Sequence, residues 1–215
     1  MLFIDDFSEE AVKLVENPVF SGLTTNPTIL KRDRPNLTML GAVVLLEKIP
    51  GTMHFVQGSV KNTEWIQFLA GLIETGKISA SKFVIKLPWE PSIAAPISKQ
   101  LKKMGLKTCA TAVYSLRQYY TALATGVDYV AVYFDRMKRS GIDPVKRIQE
   151  MLKIGANTNS SPKILAASIK ELQSAYELIT IGVDSLTLPL NLAKEFVKGD
   201  FPMNDLEIFE NEFRM

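Results

Sequence analysis

The chain has 215 residues, enough for one domain with a sizeable core, and 47% of them are apolar against 22% charged. The net charge of +2, with both signs interspersed, gives no footprint for nucleic acid or for an anionic membrane surface. A single cysteine, Cys109, excludes a disulfide framework, and neither a targeting segment nor an apolar run of membrane-spanning length is evident, so a cytoplasmic location is expected.

Short apolar runs alternate with amphipathic segments along the whole chain. The strand-like runs are Leu2–Asp5, Phe20–Thr25, Met53–Ser59, Phe83–Pro88, Thr108–Val113, Tyr129–Phe134, Ile164–Ser168 and Ser185–Pro189. Helical periodicity occupies Glu9–Glu16, Leu37–Lys48, Thr63–Thr75, Ile93–Met104, Leu116–Thr125, Pro144–Ile154, Glu171–Ile181 and Leu192–Val197. Ser8 and Asp143–Pro144 are helix-start signals, and glycines such as Gly105, Gly126 and Gly182 mark helix ends. Eight strand–helix repeats with no linker predict one α/β domain, a parallel (β/α)8 TIM barrel, with an open doubly wound sheet as the alternative. A last segment, 204–215, reads as an additional C-terminal helix with Leu206, Phe209 and Phe213 on one side.

Barrel chemistry belongs at the C-terminal ends of the strands, so the informative residues are polar ones that interrupt apolar runs there. One histidine, His54, excludes a multi-histidine metal site. If the protein breaks carbon–carbon bonds, a lysine imine, which needs no metal or organic cofactor, is then the natural alternative. Lys86, in Phe83-Val84-Ile85-Lys86-Leu87-Pro88, is the natural candidate: burial in such a strand favours the neutral, nucleophilic amine. The plain alternative is a lysine snorkelling from an edge strand.

Alternation puts Leu2, Ile4 and Asp6 on one face and Asp5 on the other. If the first face is the lumen, Asp6 becomes a carboxylate beside Lys86; otherwise Asp6 caps the next helix. Gln57, Thr111 and Tyr133 share faces with Phe55, Cys109 and Ala131, and together they can hold a proton-shuttling water. His54 and Cys109 read as structural. Thr25 and Asn26 are polar residues at the end of the second strand and so candidate site residues. Arg136, Ser168 and Lys170 follow the sixth and seventh strands, where barrels bind phosphate. Lys31-Arg32-Asp33-Arg34 reads as a solvated loop.

Gly22-Leu23-Thr24-Thr25-Asn26-Pro27-Thr28-Ile29-Leu30 resembles the signature of the transaldolase family. Val84-Ile85-Lys86-Leu87-Pro88, Ala110-Thr111-Ala112-Val113-Tyr114, Leu165-Ala166-Ala167-Ser168 and Leu186-Thr187-Leu188-Pro189-Leu190 extend the resemblance over most of the chain. It implies a (β/α)8 barrel in which Lys86 forms the imine and Asp6 and Asn26 bind substrate hydroxyls, Asp6 acting also as acid–base. It further implies that Thr111 helps hold the water and that Arg136 and Ser168 bind the phosphate of a sugar-phosphate substrate. Gln57 and Tyr133 resemble the fructose-6-phosphate aldolase branch rather than true transaldolases, which usually carry Glu and Phe.

The expected activity is therefore aldol cleavage and formation of fructose 6-phosphate from dihydroxyacetone and glyceraldehyde 3-phosphate. A transaldolase is the first alternative and a non-catalytic sugar-phosphate-binding barrel the second. Val132, and Asp135 beside Arg136, depart from the family pattern. The small members of the family assemble as homo-oligomers, and the resemblance implies a decamer with the C-terminal helix between subunits.

Overall fold

The computed structural model describes residues 1–158, 160–199 and 205–213. The elements run in the order β1 (Leu2–Ile4), α1 (Glu9–Leu14), β2 (Phe20–Leu23), α2 (Pro27–Asp33), α3 (Met39–Glu47), β3 (His54–Gln57), α4 (Trp65–Glu74), β4 (Phe83–Pro88), α5 (Pro91–Lys103) and β5 (Lys107–Val113). They continue through α6 (Leu116–Thr125), β6 (Tyr129–Tyr133), α7 (Phe134–Arg139), α8 (Pro144–Ala156), β7 (Lys163–Ala167), α9 (Leu172–Thr180), β8 (Ser185–Leu188), α10 (Leu190–Phe196) and α11 (Asp205–Glu212).

All strand pairs are parallel, and the neighbours run β2-β1-β8-β7-β6-β5-β4-β3. The ring closes where Thr24 bridges Phe55 and the Thr25 N–H donates to the Phe55 carbonyl at 2.8 Å. The architecture is the (β/α)8 barrel with an added C-terminal helix, and the open sheet is excluded by the β2–β3 contact.

Local chemistry explains most boundaries. Ser8, Asn26, Thr38, Ser115 and Asp143 each cap a helix through the side chain, and Pro27 and Pro144 occupy first turns. Gly126 ends α6 in the left-handed conformation, φ 78°. At Gly22, φ 154°, a Cβ would sit 1.8 Å from the Met53 carbonyl oxygen, so only glycine lets β2 approach β3 closely enough to close the ring.

Two apolar layers follow from strand alternation. Phe3, Met53, Phe55, Val84, Cys109, Tyr129, Ala131 and Leu165 fill the lumen, with the Phe55 ring edge-on to Phe3 at 5.0 Å and to Tyr129 at 5.1 Å. Ile4, Leu23, Val56, Ile85, Leu87, Val130, Val132, Ile164 and Ala166 face the helices. His54 belongs to this outer layer. Its Nδ1 accepts from the Leu23 N–H at 3.1 Å, and its Nε2 lies 3.4 Å from the Ile49 carbonyl, so it is the structural residue expected.

Two helices differ from the sequence reading. The segment beginning at Pro27 is helical, not merely a motif after a strand, because Asn26 accepts from the N–H groups of both Thr28 and Ile29. Lys31–Asp33 therefore forms the last turn of α2 rather than a solvated loop, and Arg32 pairs with both Asp33 and Asp6. Helix α7 begins directly at the end of β6. The expected C-terminal helix is present over Asp205–Glu212; residues 204, 214 and 215 of the expected span lie outside the described residues. No residue of α11 is buried, and Phe209 and Phe213 are 63% and 72% exposed, so its own barrel leaves that apolar face uncovered. No described helix is long and apolar enough to cross a membrane.

Candidate active site

Lys86 stands on the lumen face of β4 and is only 4% exposed. Burial pushes its ammonium well below the usual lysine range, and the nearby Asp5 carboxylate opposes this only in part. This shift favours the neutral amine, which is aimed into a cavity of about 110 Å³ at the C-terminal ends of the strands. Asp5, Asn26, Tyr133, Arg136, Ser168, Lys170 and Thr187 supply the polar part of the cavity wall. The snorkelling alternative for Lys86 does not fit this burial.

The carboxylate opposite Lys86 is Asp5, and the expectation that Asp6 occupies that place is corrected. In β1 it is Phe3 that enters the lumen, because its ring packs on Phe55, while Ile4 joins the outer core. The lumen side chain two residues on is then Asp5. Burial raises its carboxyl, with Lys86 and then Thr24 pulling the other way. The Thr24 hydroxyl donates to Asp5 at 2.9 Å and lies 2.7 Å from that of Thr187. Asp6 points away from the cavity. It accepts from the Ser8 N–H at 2.8 Å, shaping the start of α1, and from Arg32 at 2.6 Å.

On the other side of Lys86, the Thr111 and Tyr133 hydroxyls are 3.0 Å apart. Burial raises the Tyr133 phenol, and the Thr111 hydrogen bond partly offsets that rise. Gln57 is the register partner of Lys86 across β3 and β4, with the same inward orientation as Phe55. It also borders a more apolar pocket with Trp65, Met39 and Pro88.

The Arg136 guanidinium stacks on the Tyr133 ring at 4.7 Å and faces the cavity from α7. Asp135 is held by Arg139 at 2.9 Å and sits in the first turn of α7, so its charge is engaged elsewhere than at Arg136. Ser168, at a left-handed φ of 61°, and Lys170 line the same end of the cavity. Asn26 lines it too. Its amide oxygen is occupied by the cap of α2, which leaves the NH2 as the donating end. Thr25 is buried with its hydroxyl on the Phe55 carbonyl at 3.2 Å, so it serves barrel closure and does not line the cavity.

Comparison with known proteins decides the kinship. A family model described as transaldolase/fructose-6-phosphate aldolase matches residues 41–214. The chain belongs to that family. A probable transaldolase of Petrotoga mobilis is 31% identical over 219 residues, covering 99% of this chain and 94% of its own. A probable transaldolase of Kosmotoga olearia is 29% identical over 216 residues, covering 99% and 95%. Solved structures agree on fold alone. The flavin-binding domain of baker's yeast flavocytochrome b2 superposes with a TM-score of 0.61 at 10% identity over 89% of this chain and 57% of that one. A flavocytochrome b2 variant with sulfite bound gives 0.58 at 12% identity and the same coverage.

As a member of the transaldolase/fructose-6-phosphate aldolase family, the protein is an enzyme of the aldolase or transaldolase type. The sequence had already singled out Lys86, Gln57, Thr111, Tyr133, Asn26, Arg136, Ser168 and Lys170, and the fold brings all of them to one end of the barrel. It missed Asp5, Thr24 and Thr187. Thr24 and Thr187 belong to the family-like runs, but as threonines in apolar strands they look like core residues until the lumen face is known.

Proposed function

We propose that the protein is a Schiff-base aldolase that cleaves and forms fructose 6-phosphate from dihydroxyacetone and glyceraldehyde 3-phosphate, without metal or organic cofactor. The observation that carries this reading is the buried Lys86, its pKa lowered by desolvation, facing Asp5 across the cavity, with the Thr111–Tyr133 hydroxyl pair beside it. The amine attacks the ketone carbonyl, and loss of water gives an iminium ion. That ion draws electrons from the bond between C3 and C4. Asp5 takes the proton of the C4 hydroxyl as this bond breaks, the aldehyde leaves, and an enamine remains on Lys86. Protonation of the enamine and hydrolysis release dihydroxyacetone and restore the amine. Thr111, Tyr133 and Gln57 hold the water that carries protons in these steps. The Asn26 amide binds ketol hydroxyls, and Arg136, Ser168 and Lys170 receive the phosphate.

A transaldolase, passing the three-carbon ketol to erythrose 4-phosphate, is the second reading, favoured by the names of both relatives. The two differ in the fate of the enamine. Free dihydroxyacetone released from fructose 6-phosphate without an acceptor supports the aldolase; efficient transfer without release overturns it. Gln57 and Tyr133 support the first reading, because a water held close to the enamine carbon favours its protonation.

We further propose a cytoplasmic homo-oligomer, a ring-based decamer, in which α11 packs on a neighbouring subunit. The uncovered apolar face of α11 supports this.

A further inference from the structure

Strand β5 does not alternate cleanly. Cys109 and Thr111 point into the lumen and Ala110 points at the helices, so a regular strand would turn Val113 inward; Val113 instead lies in the outer core. The register against β6 shifts between Ala110 and Val113, and Ala112 takes a left-handed φ of 59°. Alanine rarely holds that conformation without support from its surroundings. The irregularity lies directly beside Thr111.

The support comes from Gln118, in the first turn of α6. Its Nε2 donates to the carbonyls of Ala112 at 3.3 Å and Trp89 at 3.4 Å. Its Oε1 accepts from the backbone N–H groups of Tyr114 at 3.0 Å and Ser115 at 3.3 Å, and from the Ser115 hydroxyl at 3.3 Å. Trp89 in turn donates its backbone N–H to the Thr111 carbonyl at 3.0 Å. One amide therefore joins the residue that follows the Lys86 strand, the bulge that carries Thr111, and Tyr114. The Tyr114 ring meets Tyr133 edge-on at 6.0 Å. A capping box needs only the exchange between Ser115 and Gln118. The donations to Ala112 and Trp89 go beyond helix capping and reach the end of the strand that carries the reacting amine and the strand beside it.

We infer that Gln118 is a positioning residue for the aldol reaction: through the β5 bulge and Tyr114 it fixes the Thr111–Tyr133 hydroxyl pair, without touching substrate. The inference rests on the function proposed above.

Gln118→Met keeps the side-chain length and removes these hydrogen bonds. The expected result is a kcat for dihydroxyacetone release lower by about 10-fold to 100-fold, with the KM for the phosphorylated substrate unchanged. In a Thr111→Val background the same substitution should have little further effect, since the group it positions is already gone. A wild-type kcat in the folded variant, or full additivity with Thr111→Val, overturns the inference. Should Gln118→Met fail to fold, Gln118→Glu carries the test, because it keeps the accepting oxygen of the cap and loses the donations to Ala112 and Trp89. The same loss of kcat is expected, and an unchanged kcat overturns the inference. Borohydride trapping of substrate on the wild-type protein runs alongside. No adduct on Lys86 overturns both this inference and the proposed function, whereas an adduct with unaffected Gln118 variants overturns this inference alone.

Discussion

The hydroxyls of Thr111 and Tyr133 lie 3.0 Å apart across adjacent strands, on the lumen side that also holds Lys86. Two hydroxyls so placed can hold one water between themselves and the lysine nitrogen. Tyr133→Phe removes one of its partners and leaves the ring that stacks on Arg136. Release of free dihydroxyacetone should fall at least about 10-fold, while transfer to an added aldehyde acceptor falls less. Parallel release and transfer assays check this; an equal loss in both would assign Tyr133 to a step the two reactions share.

Lys86→Met should reduce turnover to background and leave no borohydride adduct. The fold should survive, with a melting temperature equal to or above wild type, because a methionine fills the site without the cost of burying an amine. Mass spectrometry of the borohydride-treated proteins and a thermal melt read both halves. An adduct persisting in the variant would move the imine to another lysine.

The neighbouring carboxylates Asp5 and Asp6 should separate cleanly on mutation. Asp5→Asn removes the base opposite Lys86 and should lower kcat by about 10²-fold to 10⁴-fold. Asp6→Asn weakens the Arg32 pair and the turn at Ser8, so it should cost about 1 kcal/mol of stability with kcat near wild type. The reverse pattern in steady-state kinetics and denaturant melts would restore Asp6 as the catalytic carboxylate.

Acid should destabilise the protein through His54. Burial lowers its folded-state pKa to about 4 from an ordinary 6.5, so the folded protein holds the neutral ring while the unfolded chain takes up a proton. The stability His54 contributes is fully present above about pH 6.5 and is lost as pH falls towards 4, up to roughly 3 kcal/mol. Unfolding free energies between pH 4 and 7, compared with those of His54→Gln, measure the slope. A wild-type slope no steeper than the variant's would remove His54 from this account.

Deleting residues 205–215 should shrink the assembly. Light scattering after size exclusion gives the test: full-length protein is expected well above the 24.0 kDa of one chain, and the truncated protein below it in size. A full-length monomer would refute the oligomer, and an unchanged size after truncation would place the contact elsewhere.

Much of this was legible in the sequence by itself. Eight apolar runs separated by capped amphipathic segments predicted parallel strands alternating with helices, because buried strands and half-buried helices carry different periods, while the β2–β3 contact decided for a closed barrel over an open sheet. A lysine inside Phe83–Pro88 declared itself, since a charge is rarely placed in such a run without a use. Gln57, Thr111 and Tyr133 were assigned to the right faces because alternation is local.

What alternation cannot say is which face is the inside. In β1 both choices looked alike: Phe3 and Ile4 are each apolar, and each is followed two residues later by an aspartate. Only closure of the barrel decided, by setting Phe3 against Phe55 and so turning Asp5 toward Lys86 and Asp6 toward Arg32. The same holds for Thr24 and Thr187. They are distant in the chain and become partners only because β1 stands between β2 and β8. Gln118 shows a further limit: its role depends on a left-handed alanine that interrupts the period of β5. A sequence determines period and burial residue by residue, whereas tertiary structure alone determines which groups a closed ring of strands brings face to face.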